Sequence, residues 1–209
     1  LPCVGLGTAT FIMQASESII SVCFNSSLLY YGGDLAVGAM TIITSVMQFA
    51  LLPLQGLGQG AQPIVSFNYG AKNVPRVKAA FRLLLKISLL YSALLWLCIM
   101  LFPNIFASIF TTNQELITFT KTALRIYMAG IGIFGIQMAC QLTFNSLGNA
   151  KASILVAVMR KFVLLIPLIY LMPHLFPKLL PMSVYMAEPV ADIIAVSFTS
   201  VLFAFQFKK

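Results

Sequence analysis

The sequence predicts an all-α polytopic membrane protein, a bundle of six transmembrane helices forming a single lobe over residues 1–209. Three observations predict it: 60% of the 209 residues are hydrophobic, only 9% are charged, and the apolar residues fall in runs long enough to cross a bilayer. Soluble domains carry about a quarter charged residues. The 13 Lys and Arg and five Asp and Glu here are too few to solvate a globule of this size. Mean hydropathy is +0.96. These figures exclude a soluble enzyme, a disordered chain and a nucleic-acid reader.

A span needs about 20 mainly apolar residues, and turn chemistry divides the chain into six of them. The first, about 4–31, stops at Gly32-Gly33-Asp34. The second, 35–67, breaks at Asn68-Tyr69-Gly70 and the following Lys72-Asn73-Val74-Pro75. The third, 76–110, opens as a basic amphipathic stretch and turns apolar from Ile87. The polar turn 111–115 precedes the fourth, 116–147, and Gly148-Asn149 leads into the fifth, 152–172. Pro173, Pro177 and Pro181 bracket a loop before the sixth, 183–207. Backbone amides have no water to bond in a bilayer, so each span is expected to be helical.

Charge orients the bundle. Lys72, Arg76, Lys78, Arg82 and Lys86 lie between the second and third spans, Lys151 follows the fourth, and Lys208-Lys209 ends the chain. All of these fall on one side, which the positive-inside rule makes cytoplasmic, with both termini there and the protein in the cell (inner) membrane. Leu1 is not an initiator Met and no basic stretch precedes the first apolar run. A signal peptide is therefore not expected, and the chain is expected to begin inside a longer protein. The four cysteines lack CxxC spacing and read as small hydrophobes, and one histidine excludes sites built from several. Catalytic residues, metal sites and cofactors are not expected.

Polar residues kept inside spans mark function in membrane proteins. Helix neighbours recur at three, four and seven residues, and at that spacing four seams emerge. Thr10, Gln14, Glu17, Ser18, Ser21 and Asn25 share a face of the first span; Thr41, Gln48, Gln55, Gln59, Gln62 and Ser66 share one of the second. Gln137, Gln141, Asn145 and Asn149 step by four in the fourth, and Glu188, Asp192 and Thr199 align in the sixth. Such side chains can serve merely as glue between helices, at about 0.6–2 kcal/mol per bond. Six on one helix exceed that need and predict a water-accessible cavity walled by Ser21, Asn25, Gln48, Gln55, Gln59, Gln62, Gln137, Gln141 and Asn145.

Glu17 lies near the middle of its span, where an unpaired carboxylate costs about 2.5–3.5 kcal/mol. It either protonates, binds a cation or pairs with a base from another span. Asp192 leans the same way, whereas Glu188-Pro189 reads equally as a helix start. Arg160 and Lys161 either snorkel to the cytoplasmic interface or turn one side chain to the cavity. Pro53, Gly56, Gly60 and Pro63 predict a bend in the second span, and Gly56 and Gly60 form a GxxxG that allows close helix approach.

The segment Pro53-Leu54-Gln55-Gly56-Leu57-Gly58-Gln59-Gly60-Ala61-Gln62-Pro63-Ile64 with Tyr69-Gly70-Ala71-Lys72-Asn73 resembles the multidrug and toxic compound extrusion (MATE) family. Leu147-Gly148-Asn149-Ala150-Lys151 and Ala187-Glu188-Pro189-Val190-Ala191-Asp192 resemble later parts of the same lobe. The resemblance implies one lobe of a twelve-helix transporter, the carboxy-terminal six helices, whose partner is a missing amino-terminal six-helix lobe. It implies export of a small-molecule drug or toxic compound, amphipathic or cationic, in exchange for H⁺ or Na⁺ by alternating access, with the lipid bilayer as surroundings and no nucleic acid. It places cation coupling at Glu17 or Gln14. A flippase for lipid-linked oligosaccharides of the related superfamily is the alternative, as is a non-transporting fragment.

Overall fold

The computed structural model describes residues 2–148 and 150–207, with side chains at 15–148, 152–203 and 205. It is helical throughout the spans. The first helical run, α1 (Pro2–Gly70), is broken at Gly33 by φ 63° and ψ −161°, a conformation essentially reserved for glycine. A straight helix of that length would exceed the bilayer core about threefold. The break divides it into two arms, 2–32 and 34–70, and Phe24 and Leu28 of the first arm share one core with Met40, Ile43 and Val46 of the second.

The remaining spans follow from their caps and breakers. α2 (Val74–Leu101) starts where the Asn73 side chain accepts the Arg76 N–H and Pro75 sits in the first turn. The third apolar run does not continue to 110 as one helix. It stops at Leu101, and a short α3 (Pro103–Ser108) follows, because Pro103 lacks the N–H a continuing helix needs. α4 (Gln114–Tyr127) is capped by Asn113, which accepts from the Glu115 and Leu116 N–H groups. A single 3₁₀ turn, Met128–Gly130, joins it to α5 (Ile131–Ser146). The fifth span is α6 (Ala150–Val158), a π-helical turn at Met159–Leu165, and α7 (Ile166–Leu175). The last is α8 (Met182–Tyr185) leading into α9 (Ala187–Phe207). Among the described residues five helices are long and apolar enough to cross a membrane, and the break at Gly33 divides the longest of them into two arms.

Small residues set the closest helix approach, as expected where lipid offers helices no competing hydrophobic drive. The Ser92 hydroxyl on α2 donates to the Gly132 carbonyl on α5 at 3.0 Å, and a Cβ on Gly135 would strike the Ser88 carbonyl. The centre is aromatic: Phe24 meets Tyr127 edge-on at 5.9 Å, Tyr127 meets Tyr185 at 6.5 Å, and the Tyr185 hydroxyl donates to the Ala36 carbonyl. Many apolar side chains, among them Val22, Phe49, Leu90, Leu101 and Val201, project outward, as they must to meet acyl chains. Cys140 is buried, but Cys98 is exposed on that outer surface.

The second arm of α1 departs from expectation twice. Its backbone stays helical through Pro53 and Pro63, with Gly33 the residue whose torsions leave the helix. Among the described residues nothing lies within 4 Å of a Cβ on Gly56 or Gly60, whereas one on Gly58 would run into Leu142 of α5. Close approach therefore belongs to Gly58, and the GxxxG pair faces outward.

Candidate functional site

Five charged side chains from three segments meet in the lobe. Arg160 bonds Glu188 and Asp192, its Nη2 2.7 Å from Glu188 Oε1 and its Nε 2.7 Å from Asp192 Oδ1. Its guanidinium also lies 4.8 Å from the centre of the Phe134 ring, a cation–π contact. Lys161 pairs with Glu17 of the first arm and donates to the Ser16 hydroxyl at 3.2 Å. Arg160, Glu188, Asp192 and Lys161 are almost wholly enclosed, but the Glu17 side chain is 60% exposed. Tyr127 is buried in the aromatic centre on α4.

Local structure explains why two adjacent bases both turn inward. In an α-helix neighbours point about 100° apart, so two adjacent bases reach different partners. The π turn at Met159–Leu165, in which the Ile166 N–H bonds the Lys161 carbonyl, widens the helix at this point. Such bulges concentrate at functional sites. Room for Asp192 comes from the 3₁₀ turn: a Cβ on Gly130 would lie 3.0 Å from Asp192 Cβ and 3.2 Å from the Pro189 backbone. Glu188 occupies the first turn of α9, where a carboxylate suits the helix dipole, and bonds Arg160 as well. Its Oε2 is buried without a hydrogen-bond partner.

The predicted site residues separate into two groups. Glu17, Ser21 and Asn25, one helical turn apart, are exposed, as are Gln48, Gln55, Gln59 and Gln62 on the second arm. The core instead uses Ser16, Ile20, Phe24 and Leu28, a face about 100° around the helix from the exposed one. Asn145 is also exposed and Gln141 is half-buried. Ser66 of the second arm donates to the Ser146 carbonyl at 2.8 Å, which brings Gln62 and Asn145 to the same end of the lobe. The second group lies inside: Asp192 is held by Arg160, and Gln137 is buried with its Oε1 unpaired. Asp192 and Gln137 are therefore interior residues and do not stand on the exposed face. The Gln14 side chain lies outside the described residues.

Pairing with a base from another span is one of the three alternatives for Glu17, and the structure shows that one, with both bases turned inward. Arg160 and Lys161 do not snorkel to the interface; they neutralise carboxylates in the lobe interior. Tyr127 and Ser16 had no sequence signal beyond helical phase. Two concavities, about 360 and 530 Å³, open beside Gln114 and Thr118 at the other end of α4, and neither touches the charged group. The glutamine seam is thus an open wall of the lobe, not an enclosed pocket.

Known proteins share this arrangement of helices. The MatE family model matches residues 9–171. Multidrug export protein MepA of Staphylococcus aureus strain N315 is 22% identical over 172 residues, covering 82% of this chain and 37% of MepA. A FAD transporter of Shewanella oneidensis is 26% identical over 133 residues, 64% of this chain and 29% of that protein. The solved structure of a MOP superfamily transporter from Pyrococcus furiosus, described as having a binding pocket of reverse polarity, superposes with a TM-score of 0.89 at 20% identity, over 97% of this chain and 45% of that one. The chain spans less than half the length of each.

Proposed function

The chain belongs to the MatE family, and from that premise we propose that it forms the carboxy-terminal half of a secondary multidrug antiporter. In this reading it exports amphipathic or cationic organic compounds in exchange for H⁺ or Na⁺, by alternating access, across the cell membrane. An amino-terminal six-helix lobe supplies the facing wall of the cavity.

The observation that carries the reading is the position of Glu17. Its carboxylate is exposed on a face lined by Ser21 and Asn25, yet its partner, Lys161, reaches it from the buried interior. A cation arriving at the open face can therefore be felt inside the lobe. A ligand shifts a conformational equilibrium only through unequal affinity for the two states, and a carboxylate wet in one state and covered in the other supplies that inequality. Asp192, held with Glu188 on Arg160, connects the same group of charges to α9. The neutral amides of Gln48, Gln55, Gln59 and Gln62 offer hydrogen bonds without fixing one geometry, which suits varied substrates.

The test is Glu17→Gln in the full protein, assayed for efflux of a fluorescent organic cation from cells. The variant is expected to reach the membrane in normal amount and to lose efflux. Efflux at the wild-type rate would remove Glu17 from the mechanism.

A further inference from the structure

We infer that Lys161 is a tethered cation that exchanges partners, holding Glu17 while the lobe is empty and turning to Glu188 when a monovalent cation takes its place on Glu17. This rests on the coupling role proposed for Glu17. Three observations point to it.

First, the two bases are held differently. Arg160 is fixed on three sides by Glu188, Asp192 and the Phe134 ring, through a planar fork that binds in a set geometry. Lys161, next to it in the chain, contacts Glu17 and Ser16 from a flexible four-carbon stem whose ammonium donates in three directions.

Second, charge is unevenly shared. In the enclosed group one base, Arg160, faces two acids, Glu188 and Asp192, while Lys161 is spent on the exposed Glu17. The surplus negative charge has a defined location: Glu188 Oε2 is buried and, among the described residues, accepts no hydrogen bond, while the other oxygen of that carboxylate is held by Arg160, the chain neighbour of Lys161. Buried charge is tolerated when paired and hydrogen-bonded.

Third, the exchange balances. When a proton or Na⁺ occupies Glu17, that site is neutral, and the released Lys161 can meet Glu188 Oε2, leaving Arg160 and Lys161 against Glu188 and Asp192. The empty lobe carries one uncompensated negative charge, and the loaded lobe carries none. Only the loaded lobe is then suited to cross through a dehydrated intermediate, which ties movement to cation binding. Among the described residues, the titratable groups around Glu188 that take part in this count are Arg160 and Lys161 on the π turn, Asp192 on α9, Glu17 on α1, and Tyr127 on α4 as a neutral phenol.

The experiment uses the full protein reconstituted in vesicles, with ethidium transport followed against Na⁺ at fixed pH and against pH without Na⁺, so that the two cations are distinguished. In Lys161→Gln the competitor for Glu17 is gone. The half-saturating concentration of the coupling cation is expected to fall about tenfold, since an opposite charge at contact shifts ionic equilibria by that order or more, while the maximal rate also falls. In Glu188→Gln the empty lobe is already neutral, and ethidium exchange is expected to proceed without the cation. A static ion pair predicts neither result. Unchanged half-saturation in Lys161→Gln, or a wild-type cation requirement in Glu188→Gln, overturns the exchange; should Lys161→Gln fail to fold, Glu188→Gln alone decides. Cation dependence that survives Glu17→Gln sinks the coupling role itself, whereas dependence lost in Glu17→Gln with wild-type behaviour in the other two sinks only the exchange.

Discussion

Taking away the guanidinium of Arg160 would leave Glu188 and Asp192, both almost fully enclosed, facing one another without a base. Breaking a buried ion pair from one side costs about 3–5 kcal/mol, because the remaining charge cannot return to water. Arg160→Gln is therefore expected to lower the melting temperature of the detergent-solubilised protein strongly. The triple change Arg160→Gln, Glu188→Gln, Asp192→Asn removes every charge from that group and keeps hydrogen-bonding atoms in place, so much of the stability should return. A single variant as stable as wild type would show that the three side chains are not paired in the membrane. Mid-span carboxylates such as Glu17 and Asp192 are legible in sequence, since a charge in an apolar run has few innocent explanations. Which base each one meets is not. An Arg-Lys pair two turns into a span from its basic end fits snorkelling equally well, and only the π turn directs both side chains inward.

At the scale of an element, the second arm of α1 shows that spacing alone does not say which glycine packs. Gly56 and Gly60 match the GxxxG pattern, but Gly58 is the one lying against Leu142. Period-four spacing specifies a face and leaves open which neighbour, if any, covers it. The same substitution at two positions two residues apart separates the cases. Gly58→Val is expected to destabilise by about 1–3 kcal/mol, the usual range for overpacking a filled contact, whereas Gly60→Val, with open space around its Cβ, should leave the melting temperature near that of the wild type. Equal losses at both sites would mean that the seam is packed against protein in the assembled transporter. Some breakers are legible locally, although the bend expected from Pro53 to Pro63 is not formed. Gly33 was placed at a turn and is one, and Asn73 and Asn113 mark helix starts, because capping and left-handed torsions are local demands that tertiary packing seldom overrides. Pro103, which ends α2 at Leu101, stands in a stretch that stays mainly apolar to Phe110, so hydropathy does not mark the break.

For the whole molecule, hydropathy marks apolar runs that the structure forms as helices, yet it does not tell interior from exterior within them. A lobe in lipid exposes apolar side chains on one side and, on the proposed reading, wet amides on another, so both of its surfaces differ from the core in ways that no apolar count separates. Charge is the remaining whole-chain signal, and it carries the last expectation. Between Asp34 and Glu115 the sequence holds Lys72, Arg76, Lys78, Arg82 and Lys86 and no acidic residue. All five basic side chains are exposed around the turn after α1 and the first half of α2. Moving such a cluster across a membrane during insertion is strongly disfavoured, which is the basis of the positive-inside rule. Asn73 in that turn should then lie in the cytoplasm, and Asn113, one span later, outside. In a cysteine-free background, single cysteines at these two positions can be probed in intact cells with a membrane-impermeant maleimide. The Asn113 position is expected to label directly and the Asn73 position only after permeabilisation. The reverse pattern would invert the lobe and place the approach to Glu17 from the opposite side, so that the direction of exchange proposed for this chain would have to be reversed with it.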